Sequence, residues 1–305
     1  MKKRLLIIVC VAFASYAWQA SAQISAEDDL GFGIHLFERG RYDLSILELE
    51  RYIYSHPQDY HIPHAGLLLA LSYANESQYD EALSLLEELE RTIPGTPWEE
   101  RYSGILCEAG FHRLSLLFRQ KKTSEFELEK ERVATICREP DERLGRYTDA
   151  MTVALEIYEM RWQQALDEIR SSRYLSEGLT ERLAVELEEA LRNRDKSPVL
   201  GGVLSVVPGM GHLYAGRAWD GFKSLLVNAT FITLSVVCFT NDLPVPGGIF
   251  TGVEGVLYIA NIYGGVNAVL QENARQALMR RDRMLKLLPA PPLKIISITE
   301  EFDIE

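Results

Sequence analysis

Residues 33–45 (GIHLFERGRYDLS) and residues 70–82 (ALSYANESQYDEA) are two copies of one pattern, set 37 positions apart. Leu36 aligns with Tyr73, Tyr42 with Tyr79, Ser45 with Ala82, Leu49 with Leu86 and Pro57 with Pro94. In each copy a helix-forming run ends at a small or polar turn, an aromatic follows, and a small residue comes three positions later. Small residues on both arms, Gly33 with Ser45 and Ala70 with Ala82, allow two antiparallel helices to approach closely. Tyr42 and Tyr79 fill the wedge at the turn. Pro57 and Pro94 end the second helix, because proline has no N–H to donate and clashes with the preceding turn. The spacing therefore predicts stacked helical hairpins, and Ser55–Pro63 holds three extra residues as loop.

The pattern resembles the tetratricopeptide repeat (TPR), whose period is about 34 residues. Within the pattern the framework is Gly33, Tyr42, Ser45, Tyr73, Tyr79 and Ala82. It returns at Trp162 and Ala165, after Ala154 to Tyr158. Residues 101–136 are helix-like but fit poorly, with Phe126 and Leu128 falling in the expected turn. Three to four hairpins result, the third divergent. The apolar stripe at positions 183, 184, 187, 190 and 191 predicts a final capping helix over 181–194. The resemblance implies an extended inner surface that holds a protein or peptide partner.

The rest of the chain divides by composition. Lys2, Lys3 and Arg4 precede an apolar run from Leu5 to Ala17, and Ala20-Ser21-Ala22 places small residues before Gln23. This reads as a secretory signal over 1–22, with an uncleaved anchor as the alternative. The repeats occupy 23–196. Residues 197–275 are Gly-rich with two long apolar runs, Ser224–Asn241 and Ile249–Leu270. A basic helical extension, the proline linker Leu288–Pro292 and an acidic tail fill 276–305. The tail from Leu293 is either disordered or adds as a strand to a partner's edge. The expected class is all-α: a TPR-like hairpin solenoid followed by a small helical membrane hairpin.

Within the Gly-rich part, Pro208, Gly209, Gly211, Tyr214 and Gly216 match a P-G-x-G-x-x-Y-x-G signature. It resembles small bacterial membrane proteins related to the TM2 domain, where a glycine-rich turn precedes a helical hairpin. His212, Arg217, Gly221 and the lone acid Glu254 complete the candidate set. Arg217 is expected to meet lipid phosphate. Glu254, the lone acid inside an apolar run, is a functional candidate with His212 as its expected partner; the alternative, from its place about one and a half turns from the loop, is an interfacial, solvated carboxylate. Basic residues flank both apolar runs, and the positive-inside rule puts both flanks in the cytoplasm. With exported repeats this requires Val199–Tyr214 to cross or dip as a third segment. The alternative is two crossings with the basic flank outside.

Charge is equally uneven. The chain of 305 residues carries a formal −12, and its mean hydropathy is −0.07. Residues 24–196 hold 35 acidic and 21 basic side chains, whereas 197–305 are almost neutral. Nucleic acid, which needs a basic footprint, is excluded as a default partner. Past the signal three cysteines remain. Cys107 and Cys137 either pair in an oxidising compartment or stay buried thiols. No CxxC, HExxH, GxSxG or phosphate-binding loop occurs, and Gly209-Met210-Gly211 lacks the third glycine of a dinucleotide fingerprint. His56, Asp59, His61 and His64 sit on a loop without ligand spacing, so no metal and no cofactor are expected. The expected function is a non-enzymatic scaffold anchored in a bacterial inner membrane, with its repeats in the periplasm and membrane lipid as its second contact. The alternative is a membrane-active accessory for transport or membrane-protein insertion, with His212, Arg217 and Glu254 along a polar path. Oligomeric state is left open.

Overall fold

The computed structural model describes residues 29–93, 102–137, 141–193 and 195–296. The signal segment, Pro94 and the acidic end of the tail lie outside them. The described residues form thirteen helices and no strand. Helix α1 covers 29–38. It is followed by α2 (Tyr42–Ser55), α3 (Ile62–Asn75), α4 (Tyr79–Thr92), α5 (Ser103–Arg119), α6 (Thr123–Ile136), α7 (Glu142–Tyr158), α8 (Trp162–Ser171) and α9 (Glu177–Arg192). Then come α10 (Pro198–Leu204), α11 (Met210–Tyr214), α12 (Ala218–Thr240) and α13 (Pro244–Leu285).

The chain divides into two compact units. The first holds residues up to Leu155, Ser171–Ser176 and everything from Pro289 onward. The second holds Glu156–Arg170 and Glu177–Leu288.

One turn recurs at every hairpin. Gly40, Ser77, Lys121 and Met160 adopt φ of 69°, 64°, 58° and 59°, each two residues before α2, α4, α6 and α8. The next N–H reaches back five residues: Arg41 to the Leu36 carbonyl, Gln78 to Tyr73, Lys122 to Leu117 and Arg161 to Glu156, all at 2.9–3.0 Å. This left-handed closure satisfies the carbonyls orphaned at a helix end. Among the described residues before α9 this turn recurs four times, at spacings of 37, 44 and 39 residues.

In the first unit the hairpins bury Leu49, Tyr52, Leu67, Leu71 and Leu86 almost completely. Each such side chain contributes about 1.5–3 kcal/mol through burial. The small residues act as expected. The Ser45 hydroxyl donates to the Gly33 carbonyl at 3.0 Å, and a Cβ on Gly33 would stand 2.9 Å from the Leu49 side chain. Tyr73 donates to Glu50 at 2.6 Å, and this bond together with burial pushes its hydroxyl up to about 12.

The third hairpin corrects the expected register. Phe126 lies inside α6, not in the turn, which is Gln120–Lys122. It stands three residues after Thr123, in the slot that Ser45 and Ala82 occupy elsewhere, and is fully buried. A large ring replaces a small residue there, and it packs in the cluster of Phe111, Leu114 and Leu117; higher on the hairpin Gly110 lets Val133 approach, where a Cβ would stand 2.8 Å away. Cys107 and Cys137 are joined by a disulfide with Cα atoms 5.3 Å apart, tying α5 to the end of α6. Closing a loop of 30 residues stabilises by about 3.5 kcal/mol in the chain-entropy picture.

In the second unit α9 buries Leu183, Leu187 and Ala190, an i, i+4, i+7 stripe, and packs on α13 with Glu186 paired to Arg283 at 3.2 Å. Helices α12 and α13 are long and apolar enough to cross a membrane. The turn between them, Asn241–Leu243, repeats the hairpin closure with Asp242 at φ 55° and Leu243 N–H on the Cys238 carbonyl.

Candidate functional site: a repeat groove and a glycine module

The first unit presents its first-arm helices, α1, α3, α5 and α7 up to Leu155, along one face. Residues 291–296 lie extended against that face without forming a strand. The Arg119 guanidinium donates to the Pro291 carbonyl at 2.7 Å, and the Asn75 amide donates to the Leu293 carbonyl at 2.9 Å. The Ile296 N–H donates to the buried Glu108 carboxylate, which also lies 3.5 Å from His112. Leu293 and Ile295 pack on the α1–α5 core, and Ile296 enters the cluster of Phe111, Leu114 and Met151. Space remains on both sides of the segment. A cavity of about 400 Å³ opens between Ile295 and Ile34, Phe37 and Leu68, and one of about 300 Å³ between Ile296 and Arg143, Arg146 and Tyr147. The framework residue Tyr42 borders the first cavity and stacks edge-on with Phe37 at 5.4 Å.

The other framework residues are structural. Ala82 and Ala165 are completely buried, while Tyr79 and Tyr73 pack at the edge of the core. Trp162 opens α8 as Tyr42 and Tyr79 open their helices. The histidine loop does not converge. Asp59 accepts from the His61 N–H at 2.8 Å and faces its ring, His64 packs on Tyr102, and His56 faces Asp29 at 3.7 Å. Among the described residues no group of three His, Cys, Asp or Glu has the geometry of a metal centre.

In the second unit each glycine of the motif has a distinct task. Pro208 precedes Gly209, which takes φ 87° at the start of α11. Its backbone lies against that of Gly221, where a Cβ would come within 2.7 Å of the Gly209 carbonyl. Gly211 packs against Ser205 and the Gly201 carbonyl, with Gly265 of α13 on the other side. Gly216, at φ 90°, closes the turn into α12, with Arg217 N–H on the His212 carbonyl. The motif is therefore an interlock of backbones: two glycines turn the chain and two allow contact that any side chain would block.

Asn261, legible in the sequence only as a break in an apolar run, is the polar centre of this module. Its carbonyl oxygen accepts from the Gly209 N–H at 3.0 Å and the Ser224 hydroxyl at 2.7 Å. Its amide donates to the Ser205 carbonyl at 2.6 Å. It thereby satisfies backbone groups freed by the break between α10 and α11, as buried irregular backbone requires. Tyr214 is held through its hydroxyl, which accepts from Ser197 N–H at 3.2 Å, and its carbonyl, which accepts from Lys196 at 3.0 Å.

The expected polar set does not meet. His212 sits against Gly264, with Nε2 3.1 Å from where a Cβ would be. Glu254 lies ten residues earlier on α13, about 15 Å along the axis at 1.5 Å per residue, so the two are not partners. Arg217 is engaged by Asp220 at 2.8 Å and Gln271 at 2.7 Å rather than by His212 or Glu254. The Glu254 carboxyl is 9 % exposed and neither oxygen has a hydrogen-bond partner. The expected third segment, Val199–Tyr214, falls in two short helices, Pro198–Leu204 and Met210–Tyr214, neither long enough to cross a membrane alone. No protein-family model, no curated protein and no solved structure matches the chain.

Proposed function

We propose that this chain is a non-enzymatic, membrane-anchored scaffold of a bacterial envelope, in which exported TPR-like hairpins bind a partner protein or peptide. The observation that carries this reading is the groove along α1, α3, α5 and α7, with an apolar cavity of about 400 Å³ at Ile34, Phe37 and Leu68 and a second of about 300 Å³ at Arg143, Arg146 and Tyr147. A surface of that kind, on stacked hairpins, suits an extended polypeptide. The Cys107–Cys137 disulfide supports an oxidising compartment for the repeats, in line with the signal-like N-terminus.

The anchor is the α12–α13 hairpin. Its outward faces carry Trp219, Val256 and Ile259, each 69 % exposed, an apolar surface suited to lipid rather than water. Residues 289–296 belong to the same unit as the first three hairpins. A chain that leaves and returns to one side crosses an even number of times, which favours two crossings over three, with α10 and α11 dipping in. Cysteine labelling of intact cells tests the orientation: Arg283→Cys is labelled from outside, and protection there overturns the two-crossing reading.

A second reading, a membrane-active accessory, is favoured by the unpartnered Glu254 carboxyl. Affinity capture of the full chain from detergent-solubilised membranes separates the two. The scaffold reading expects a partner lost on Ile34→Arg and kept on Glu254→Gln; the opposite pattern overturns it.

A further inference from the structure

We infer that residues 291–296 are a resident ligand of the repeat groove, a built-in competitor that must leave before an outside partner enters. The inference rests on the groove being the partner site and says what that partner is like.

Three features carry it. First, the groove grips the main chain of the segment: Arg119 and Asn75 take the carbonyls of Pro291 and Leu293, and Glu108 takes the N–H of Ile296. Contacts of this kind hold any extended chain, whatever its side chains. Second, the apolar side chains are read at separate places. Leu293 and Ile295 rest on one cluster and Ile296, 6 % exposed, is received by another. Third, the segment fills its channel incompletely, leaving the two cavities beside it. A core element packs to near-crystalline density, whereas a replaceable occupant need not.

Tethering explains why such a fit suffices. The segment begins six residues after α13 ends at Leu285. A short linker supplies an effective concentration on the order of millimolar, so a free peptide at micromolar concentration is excluded. The outside partner then carries the same chemistry: an extended run in which aliphatic residues flank one base, as Leu293, Ile295 and Ile296 flank the exposed Lys294. That base lies beside Glu38 in an array with 35 acids against 21 bases.

The test uses the full chain in detergent and a fluorescent peptide of residues 289–296 as probe. Ile296→Glu, which drives a charge into the buried slot, is expected to bind the probe at least tenfold more tightly than the unaltered chain. Adding Asn75→Ala to the same protein removes the gain. Equal binding by the unaltered chain and Ile296→Glu overturns the inference. Hydrogen exchange on the unaltered chain gives an answer independent of any variant. The Ile296 amide is expected to exchange at least 100-fold slower than in the free peptide; exchange at the free rate overturns the inference. If Ile296→Glu takes up the probe but no partner shows the Ile34→Arg sensitivity, the resident ligand stands and the scaffold reading falls. If a partner with that sensitivity is captured equally by the unaltered chain and by Ile296→Glu, the scaffold stands and the resident ligand falls.

Discussion

The repeat hairpins and the glycine module use the same turn for opposite kinds of packing. Gly40, Ser77 and Lys121 in one region and Gly216 and Asp242 in the other all close a helix with a positive φ and a five-residue backward hydrogen bond. Past the turn the two regions diverge. The repeats put Leu49, Tyr52, Leu86 and Phe126 between their helices and present charge outside. The module puts Gly201, Gly209, Gly211, Gly221 and Gly265 between its segments and presents Trp219, Val256 and Ile259 outside. The difference follows from the solvent each suits. In water, helices are driven together by burying large apolar side chains. In lipid that drive is absent, and close backbone approach plus a satisfied amide such as Asn261 holds the segments.

This contrast is broken most severely at Gly209. Gly209→Val forces a β-branched residue into φ 87° and against the Gly221 carbonyl. The cost is about 3 kcal/mol or more from strain and overpacking together. In limited proteolysis of the full chain in detergent, new cuts are expected between Ser197 and Gly221 while α1–α6 stay resistant. A module that tolerates Val there is not held by backbone contact.

Phe126→Ala tests the other half. Removing a fully buried ring is expected to lower the stability of the repeats by about 3–5 kcal/mol, read as a fall in the urea midpoint. A change below 1 kcal/mol would mean that the third hairpin is not built around this ring.

The smallest effect is electrostatic and confined to the water-exposed hairpins. Arg51 donates two hydrogen bonds to Asp29 at 2.9 and 3.1 Å, holding its carboxyl below the usual range. A carboxylate with a depressed pKa stabilises the fold above its ordinary value of about 4, and that contribution is lost as pH falls through the folded value. The unaltered chain is therefore expected to exceed Asp29→Asn in stability by a constant amount near neutral pH. The two curves should merge in strong acid, with urea midpoints between pH 6 and 2 as the measurement. Parallel curves throughout would show that the pair contributes nothing through its charge.

Much of the fold was legible because helical hairpins advertise themselves. Tyr42 with Ser45 and Tyr79 with Ala82 repeat at one spacing, and two long uncharged runs mark α12 and α13. The third hairpin hid for a physical reason: its turn is made by Lys121 at positive φ, a residue type that carries no turn signal, and Phe126 fills a slot normally read as small. Of the candidate site, the glycines were legible as a motif but not as an interlock, since which backbones touch depends on α13 passing beside them. Asn261 looked like an interruption and is the hub. Leu293–Ile296 has the composition of a strand yet lies on helices, because its carbonyls and N–H are taken by Asn75 and Glu108 rather than by another strand.

Helix α13 runs unbroken for 42 residues. At 1.5 Å per residue that is about 63 Å, roughly twice a hydrocarbon core of about 30 Å. One continuous helix therefore carries Asn261 and Gly265 at one level and, at another, Arg283, paired with Glu186 of α9, and the buried Met284. Because the helix is continuous, its residue count fixes the orientation of the Glu186–Arg283 contact relative to the glycine level. Adding a single residue between these levels would turn one end against the other by about 100°, so the length of this helix sets an angle as well as a distance.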